Sequence, residues 1–157
     1  MTPNATLRFT SRWPYNLGSL AVARLAGSKL LSHTMVVING TAYEASMEHG
    51  CRDVPLAVAM EGVKQYQDMP LFVPKLQASI AWGESQRGKK YDFAGAFGIP
   101  LLMSDDWENE NRWWCSEHSL KMLGMGGLWL LDPAEHARVR PNDLHILNYP
   151  KSALIRL

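Results

Sequence analysis

The chain has 157 residues, of which 46% are hydrophobic and 20% charged, and its formal net charge is +1. This length is typical of a single domain, here residues 1–157, whose core is large enough to need no disulfide. The near-neutral charge argues against a basic surface for nucleic acid or anionic lipid, and no apolar run is long enough for a membrane span.

The N-terminal segment lacks a basic start followed by an apolar core, so we expect no signal peptide, and synthesis in the cytoplasm. The chain has two cysteines, Cys51 and Cys115. Two cysteines make neither a disulfide framework nor, on their own, a cysteine-rich zinc site. We therefore expect no metal and no cofactor.

The clearest structural signal is a β-hairpin over residues 33–46, because two β-rich runs flank the Asn39-Gly40 dipeptide. Other patterns in the first half predict a strand over 6–11, a helix over 17–27, a helix over 55–66 and a strand over 70–75. The second half predicts a helix over 75–88, a helix-like segment over 91–98, an acidic loop over 104–111, a helix from about Asn111 to the glycines of 124–127, and a turn at Pro141-Asn142-Asp143 before a last strand. These elements predict an α+β fold, in which helices pack on a small antiparallel sheet.

The stretch "RWWCSEHSL" (112–120) places Cys115 close to the predicted start of a helix. The positive end of a helix favours a thiolate, and a thiolate beside an imidazole is a good nucleophile. Packing is nevertheless a common role for a buried cysteine. The nucleophile interpretation therefore requires an imidazole partner for Cys115.

His33 is the best-placed imidazole, because it opens the first strand of the hairpin on a rigid element. A two-residue turn at Asn39-Gly40 pairs residue 33 with residue 46, so Glu44 becomes a diagonal neighbour on the same face. Glu44 can then orient His33 by accepting a hydrogen bond from one ring nitrogen. These residues alone leave open an ordinary strand histidine and a solvated strand glutamate.

Three blocks of the chain resemble the permuted NlpC-type, papain-fold amidases, the YiiX/YaeF-like group. The blocks are "SHTMVVINGTAYEASMEHGC" (32–51), similar to the His strand, turn and acid-bearing strand; "GKKYDFAGAFG" (88–98), similar to the Gly-x-x-Tyr-Asp-Phe element; and "WWCSEHSLKML" (113–123), similar to the Cys-Ser-Glu helix start. Their order is His, acid, Cys, the reverse of the Cys-first order in ordinary NlpC-type enzymes. With the tail "VRPNDLHIL" (139–147), the likeness covers about residues 6–149.

The resemblance implies a papain-like fold with Cys115 as the nucleophile, His33 as the general base and Glu44 as the residue that orients the imidazole. It also implies that Tyr91 binds the oxyanion together with the backbone N–H of Cys115, a task that suits an uncharged phenol donor. The chemistry implied is attack of a thiolate on a carbonyl, formation of an acyl-enzyme, and then hydrolysis or transfer.

Other polar residues near these blocks have a structural role as their default. They are Asp92, which caps or braces the segment over 91–98, Glu117, and Cys51 as an inert thiol. His49 and His118 are instead spare candidates for the imidazole. The acidic loop at 104–111 carries Asp105, Asp106, Glu108 and Glu110. These carboxylates either face solvent or receive a cationic group of the substrate.

We expect the protein to be a cysteine amidase or peptidase that cuts cell-wall peptides. The setting that we expect is a virion-associated protein, such as a component of a phage tail. One alternative is a lipid acyl hydrolase or acyltransferase of the permuted papain-like group, against which the lack of a membrane-anchoring helix counts. The other is a catalytically silent module of a larger assembly, in which Trp107, Trp113 and Trp114 contact partners.

Overall fold

The structure, a computed structural model, describes residues 1–12, 31–93 and 111–157. Its main sheet has six antiparallel strands in the order β4-β3-β2-β1-β5-β8. These strands are β1 (Ala5–Ser11), β2 (His33–Ile38), β3 (Thr41–Ser46), β4 (Gly50–Pro55), β5 (Gln65–Leu71) and β8 (Ile155–Arg156). Two short strands, β6 (Lys90–Tyr91) and β7 (Arg112–Trp113), form a separate parallel pair.

Helices pack on this sheet, which confirms the predicted α+β class with an antiparallel sheet. The described helices are Leu56–Ala59, Leu76–Ser85, Cys115–Met125 and Pro141–His145, with a 3-10 helix at Pro133–Arg138. We call Cys115–Met125 the Cys115 helix. The side chains that it shares with the sheet in the main core include Leu7, Phe9, Val36, Met69, Leu120 and Leu123.

The predicted hairpin is present, and its turn sets the position of His33. Asn39 and Gly40 have φ angles of 49° and 78°, the left-handed conformation that a tight hairpin turn requires. Val36 lies opposite Tyr43, and the same register continued along both strands puts residue 33 opposite residue 46. His33 therefore begins β2 at the end of the sheet that lies away from the turn.

The helix predicted over 55–66 is wrong beyond its first turn. Only Leu56–Ala59 is helical, because the chain reverses at Gly62, whose φ is +72° and which therefore favours a turn over a helix. The strand predicted over 70–75 is wrong beyond Leu71: the strand is Gln65–Leu71, which pairs along the whole length of β1.

The helix predicted over 75–88 is confirmed as Leu76–Ser85. Asn111 is not the N-cap of the next helix, because residues 112–113 form β7 and Trp114 caps the helix instead. Tyr91 belongs to β6 rather than to a helix.

The turn predicted at Pro141-Asn142-Asp143 is the first turn of a short helix, which Asp143 stabilises by accepting the backbone N–H of Arg140 at 2.9 Å. The strand predicted directly after this turn is wrong, because residues 141–150 hold the helix and an irregular segment, and the final strand lies further on, at Ile155–Arg156. The helix predicted over 17–27 and the end of the segment over 91–98 lie outside the described residues. Within the ranges described, no helix is both long and apolar enough to cross a membrane.

Candidate active site

Cys115 is the first residue of its helix, directly after the N-cap Trp114, and it is only 2% exposed. Burial opposes ionisation of the thiol. Hydrogen bonding and the charge of His33, together with the backbone N–H groups of Thr34 and Ser116, outweigh burial and lower the pKa of Cys115 below its usual value of 9.0. The N–H groups of the first helical turn have no partners within the helix, and they favour a negative charge at this position.

His33 has a hydrogen-bonding partner on each side of its ring. Its Nε2 atom lies 2.7 Å from Oε2 of Glu44, which leaves Nδ1 as the ring nitrogen for Cys115. Burial alone would lower the pKa of His33, but hydrogen bonds to Cys115 and Glu44 and the charges of both raise that pKa from 6.5 to about 10. The site therefore favours an imidazolium paired with a thiolate.

Glu44 is 1% exposed, and its second oxygen is held by Arg52. The Nε and Nη2 atoms of Arg52 lie 2.8 and 2.6 Å from Oε1 of Glu44. Burial would raise the pKa of Glu44, but the hydrogen bonds and charges of His33 and Arg52 lower it to about 2. The carboxylate is therefore ionised and lies between two cations.

Sequence reasoning missed Arg52, although a signal for it existed. Glu44 lies directly opposite Arg52 in the pairing of β3 with β4. A glutamate facing an arginine across two strands is a favourable pair, and the short turn at 47–49 sets that register.

Tyr91 reaches the site through the parallel pair of β6 and β7, in which Tyr91 lies beside Trp113. Cys115 follows Trp113 by two residues, so the same short pair delivers both side chains. Burial, then the charge of Cys115 and a hydrogen bond to it, raise the pKa of Tyr91 well above 10.0. The phenol therefore stays protonated and donates.

The start of β4 anchors the segment that carries Tyr91. The backbone N–H of Cys51 donates to the carbonyl of Lys89 at 2.8 Å, and the N–H of Gly88 donates to the carbonyl of Cys51 at 3.0 Å. Gly50 has a φ of +67°, and a Cβ atom there would lie 2.4 Å from the Lys89 oxygen. Only glycine therefore allows this close approach.

An open depression adjoins these residues where β1, β2 and β3 meet. Its rim carries opposite charges, since Nη1 of Arg12 lies 3.7 Å from Oε2 of Glu48. The side chains that line it in the described part of the chain are mostly of polar or charged types: Thr10, Arg12, Ser32, His33, Glu44, Ser46, Met47, Glu48 and Tyr91.

The spare imidazoles occupy two different environments. His118 is buried on the Cys115 helix, its pKa is lowered to about 4 chiefly by burial, and its Nδ1 has no hydrogen-bond partner in the described part of the chain. His49 is exposed and lies 3.7 Å from Glu48. Neither one replaces His33 as the partner of Cys115.

The remaining predicted side chains are buried or lie outside the described residues. Burial raises the pKa of Cys51 to about 12, and Cys51 packs in a cluster with Tyr91 and Trp113. Glu117 is buried on the Cys115 helix, and the N–H of Asp92 donates to the carbonyl of Trp113 at 3.1 Å, which ties β6 to β7. The four acidic residues of 105–110 and Trp107 lie outside the described residues.

Trp113 and Trp114 do not form the exposed partner contacts that the assembly alternative required. They are 7% and 2% exposed, and Nε1 of Trp113 donates to Oε1 of Gln86 at 2.9 Å. Both rings pack beside the site because they directly precede Cys115 where the chain enters the helix. Across residues 1–12, 31–93 and 111–157, no three His, Cys, Asp or Glu side chains form a group able to hold a metal ion.

Comparison with known proteins adds no assignment: no protein-family model matches this sequence, and no curated protein matches it significantly.

Proposed function

We propose that the protein is a cysteine hydrolase with a permuted papain-like, NlpC-type fold, and that it cleaves an amide or peptide bond. One observation carries the proposal: the buried thiol of Cys115 and the carboxylate of Glu44 flank the ring of His33. The order His33, Glu44, Cys115 along the chain agrees with that of the permuted enzymes that the sequence resembles.

In this proposal, the thiolate of Cys115 attacks the substrate carbonyl carbon and forms a C–S bond. The carbonyl π electrons move onto oxygen, and the tetrahedral intermediate then breaks the C–N bond. His33 gives its proton to the leaving nitrogen. Neutral His33 next removes a proton from water, whose oxygen attacks the acyl-enzyme, and loss of the acid restores the thiolate–imidazolium pair.

Tyr91 supplies electrostatic stabilisation in this scheme. Its protonated hydroxyl already bonds the sulfur of Cys115, so a carbonyl carbon attached to that sulfur brings its oxygen near the same donor. The backbone N–H of Cys115, at the first position of the helix, is a second donor. Two donors aimed at a developing oxyanion are the usual arrangement in acyl transfer.

We propose cell-wall peptides as the substrate class and a virion-associated setting, such as a phage tail, as the context. The lining of the depression supports a peptide over an acyl lipid, because hydroxyl groups and opposite charges lie among its side chains. A lipid chain would require an apolar groove instead.

The test is digestion of purified peptidoglycan, with mass analysis of the released fragments. Wild type and Cys51→Ala should release the same peptide fragments, whereas Cys115→Ala should release none. Fragments from all three proteins in equal amount would rule out Cys115 as the nucleophile. Absence of fragments, together with no acyl-enzyme from activated peptide esters, would rule out the hydrolase itself.

A further inference from the structure

The carboxylate of Glu44 has a separate cation at each oxygen. His33 holds Oε2 at 2.7 Å, and Arg52 holds Oε1 through Nε at 2.8 Å and Nη2 at 2.6 Å. Glu44 is 1% exposed, and the Arg52 side chain is 19% exposed. Thiolate, imidazolium, carboxylate and guanidinium thus alternate in sign through a site whose thiol and carboxylate are buried.

A buried carboxylate requires a positive partner, because a buried charge left unpaired is strongly destabilising. His33 alone does not meet this requirement through a reaction cycle, since it becomes neutral whenever it gives its proton to a leaving group. Arginine does not lose its proton in proteins. Arg52 therefore stays charged at the moment when His33 is neutral.

We propose that Arg52 is a positioning residue of the site: it is the permanent counter-charge of Glu44, and it thereby lets His33 release its proton without leaving an unpaired buried carboxylate. Arg52 is not among the described residues that line the depression, so it acts through Glu44 and not on the substrate. This proposal rests on the proposed function, because it assumes that His33 cycles its proton.

The first test is an NMR titration of His33 in a Cys115→Ser background, which removes the thiolate and needs no turnover. Arg52→Gln should move the His33 titration upward by about one pH unit, since the imidazolium becomes the only counter-charge of Glu44. Arg52→Lys should restore the His33 titration of the Cys115→Ser protein that keeps Arg52. An unchanged or lower titration in Arg52→Gln would overturn the proposal.

Arg8→Gln is the matched control for Arg52→Gln. Arg8 lies directly opposite Asp68 across β1 and β5, and it bonds both carboxylate oxygens at 2.7 and 2.8 Å. Like Arg52, it belongs to a partly buried cross-strand pair. Arg8→Gln should leave the His33 titration in place, and an equal shift would show a general loss of charge instead of a specific role for Arg52.

The second test compares leaving groups with Cys115 intact. Arg52→Gln should slow turnover of a peptide amide about tenfold or more, because the amine needs the His33 proton. Arg52→Gln should slow turnover of an activated thioester less, since the thiolate leaving group of that substrate departs without a proton. Equal losses on both substrates would overturn the proposal. If wild type cleaves neither substrate, the proposed function fails, and the titration still decides the role of Arg52.

A double variant covers the case in which Arg52→Gln does not fold. Glu44→Gln combined with Arg52→Gln removes both charges, so the double variant should unfold at a higher denaturant concentration than Arg52→Gln alone. A double variant no more stable than the single variant would show that Arg52 does not offset the charge of Glu44.

Discussion

Nε2 of His33 lies 2.7 Å from Oε2 of Glu44, although the two residues are 11 positions apart in the chain. The hairpin between them closes that distance, since its two-residue turn sets the register of both strands. An ionised carboxylate only accepts hydrogen bonds, so Nε2 carries a proton. The ring is thereby oriented with Nδ1 available to the thiol of Cys115.

We expect Cys115 to react with iodoacetamide at least about 100-fold faster than Cys51 near neutral pH, because only the thiolate is nucleophilic. The pKa of Cys115 is lowered chiefly by His33, against the effect of burial, whereas burial raises the pKa of Cys51 to about 12. Peptide mass mapping over time measures both rates. His33→Ala should strongly slow the alkylation of Cys115.

His49→Ala is the control for this experiment, because His49 is an exposed imidazole beside Glu48. It should leave the alkylation rate of Cys115 unchanged. Equal rates at the two cysteines in wild type, insensitive to His33→Ala, would favour a catalytically silent module.

We expect titration of the His33–Cys115 pair to change the free energy of unfolding little between about pH 6.5 and pH 9.0. A raised His33 pKa gives stability that is present below 6.5 and is lost as pH rises toward about 10. A lowered Cys115 pKa gives stability that is present above 9.0 and is lost as pH falls through the lowered value. Between these limits, and above the lowered pKa of Cys115, the folded pair and the unfolded pair each hold one proton, so the two slopes cancel.

The thiolate should nevertheless be visible in that range by its ultraviolet absorbance, and it should disappear in His33→Ala. Absorbance that appears only above pH 9.0 in wild type would contradict the ion pair. A steep change in unfolding free energy between the two limits, absent from Cys115→Ser, would contradict it as well.

Acid should weaken the fold through Glu44. Its pKa falls from 4.5 to about 2 because of His33 and Arg52, against the effect of burial, so its contribution is present above 4.5 and is lost as pH falls through 2. This shift corresponds to roughly 3 kcal/mol. Urea unfolding at several pH values should show that Glu44→Gln loses this part of the acid slope, whereas the surface variant Glu61→Gln keeps it.

The pairing of His33 with Glu44 could be predicted from the sequence because it depends on local geometry. Asn39-Gly40 fixes a two-residue turn, and the period of two along a strand then fixes which side chains meet. The contact between Cys115 and His33 is harder to predict, since nothing in the spacing brings residue 115 beside residue 33. That proximity depends on tertiary packing of a helix on the sheet, and only resemblance suggested it.

The prediction for residues 55–66 failed for a related reason. Their apolar spacing suits a helix, but the chain reverses at Gly62, and residues 65–66 then pair with β1 as the start of Gln65–Leu71. Tertiary pairing outweighs a weak local preference in this segment. The placement of Tyr91 in β6 likewise depends on a distant partner, β7.

Tyr91→Phe should lower kcat on the order of 100-fold and should slow alkylation of Cys115 far less. The hydroxyl is proposed to donate to the oxyanion, and loss of one such donor has an effect of that size. Alkylation forms no oxyanion, so the variant loses there only the hydrogen bond from Tyr91 to the Cys115 sulfur. A variant with unchanged kcat would reduce Tyr91 to a packing role in its cluster with Trp113.

Gly50→Ala should both destabilise the fold and reduce turnover, because it displaces the segment that carries Tyr91. The substitution strains a φ of +67° and puts a Cβ atom 2.4 Å from the carbonyl oxygen of Lys89. Gly62→Ala is the control, since Gly62 has a φ of +72° with nothing within 4 Å of the added Cβ. Both variants carry the left-handed cost of about 1–2 kcal/mol, and only Gly50→Ala adds a clash with the backbone. Urea unfolding should therefore show that Gly50→Ala is less stable than Gly62→Ala. The kcat of the folded protein should fall only in Gly50→Ala. Equal stability and equal kcat in the two variants would mean that the contact between Gly50 and Lys89 does not position Tyr91.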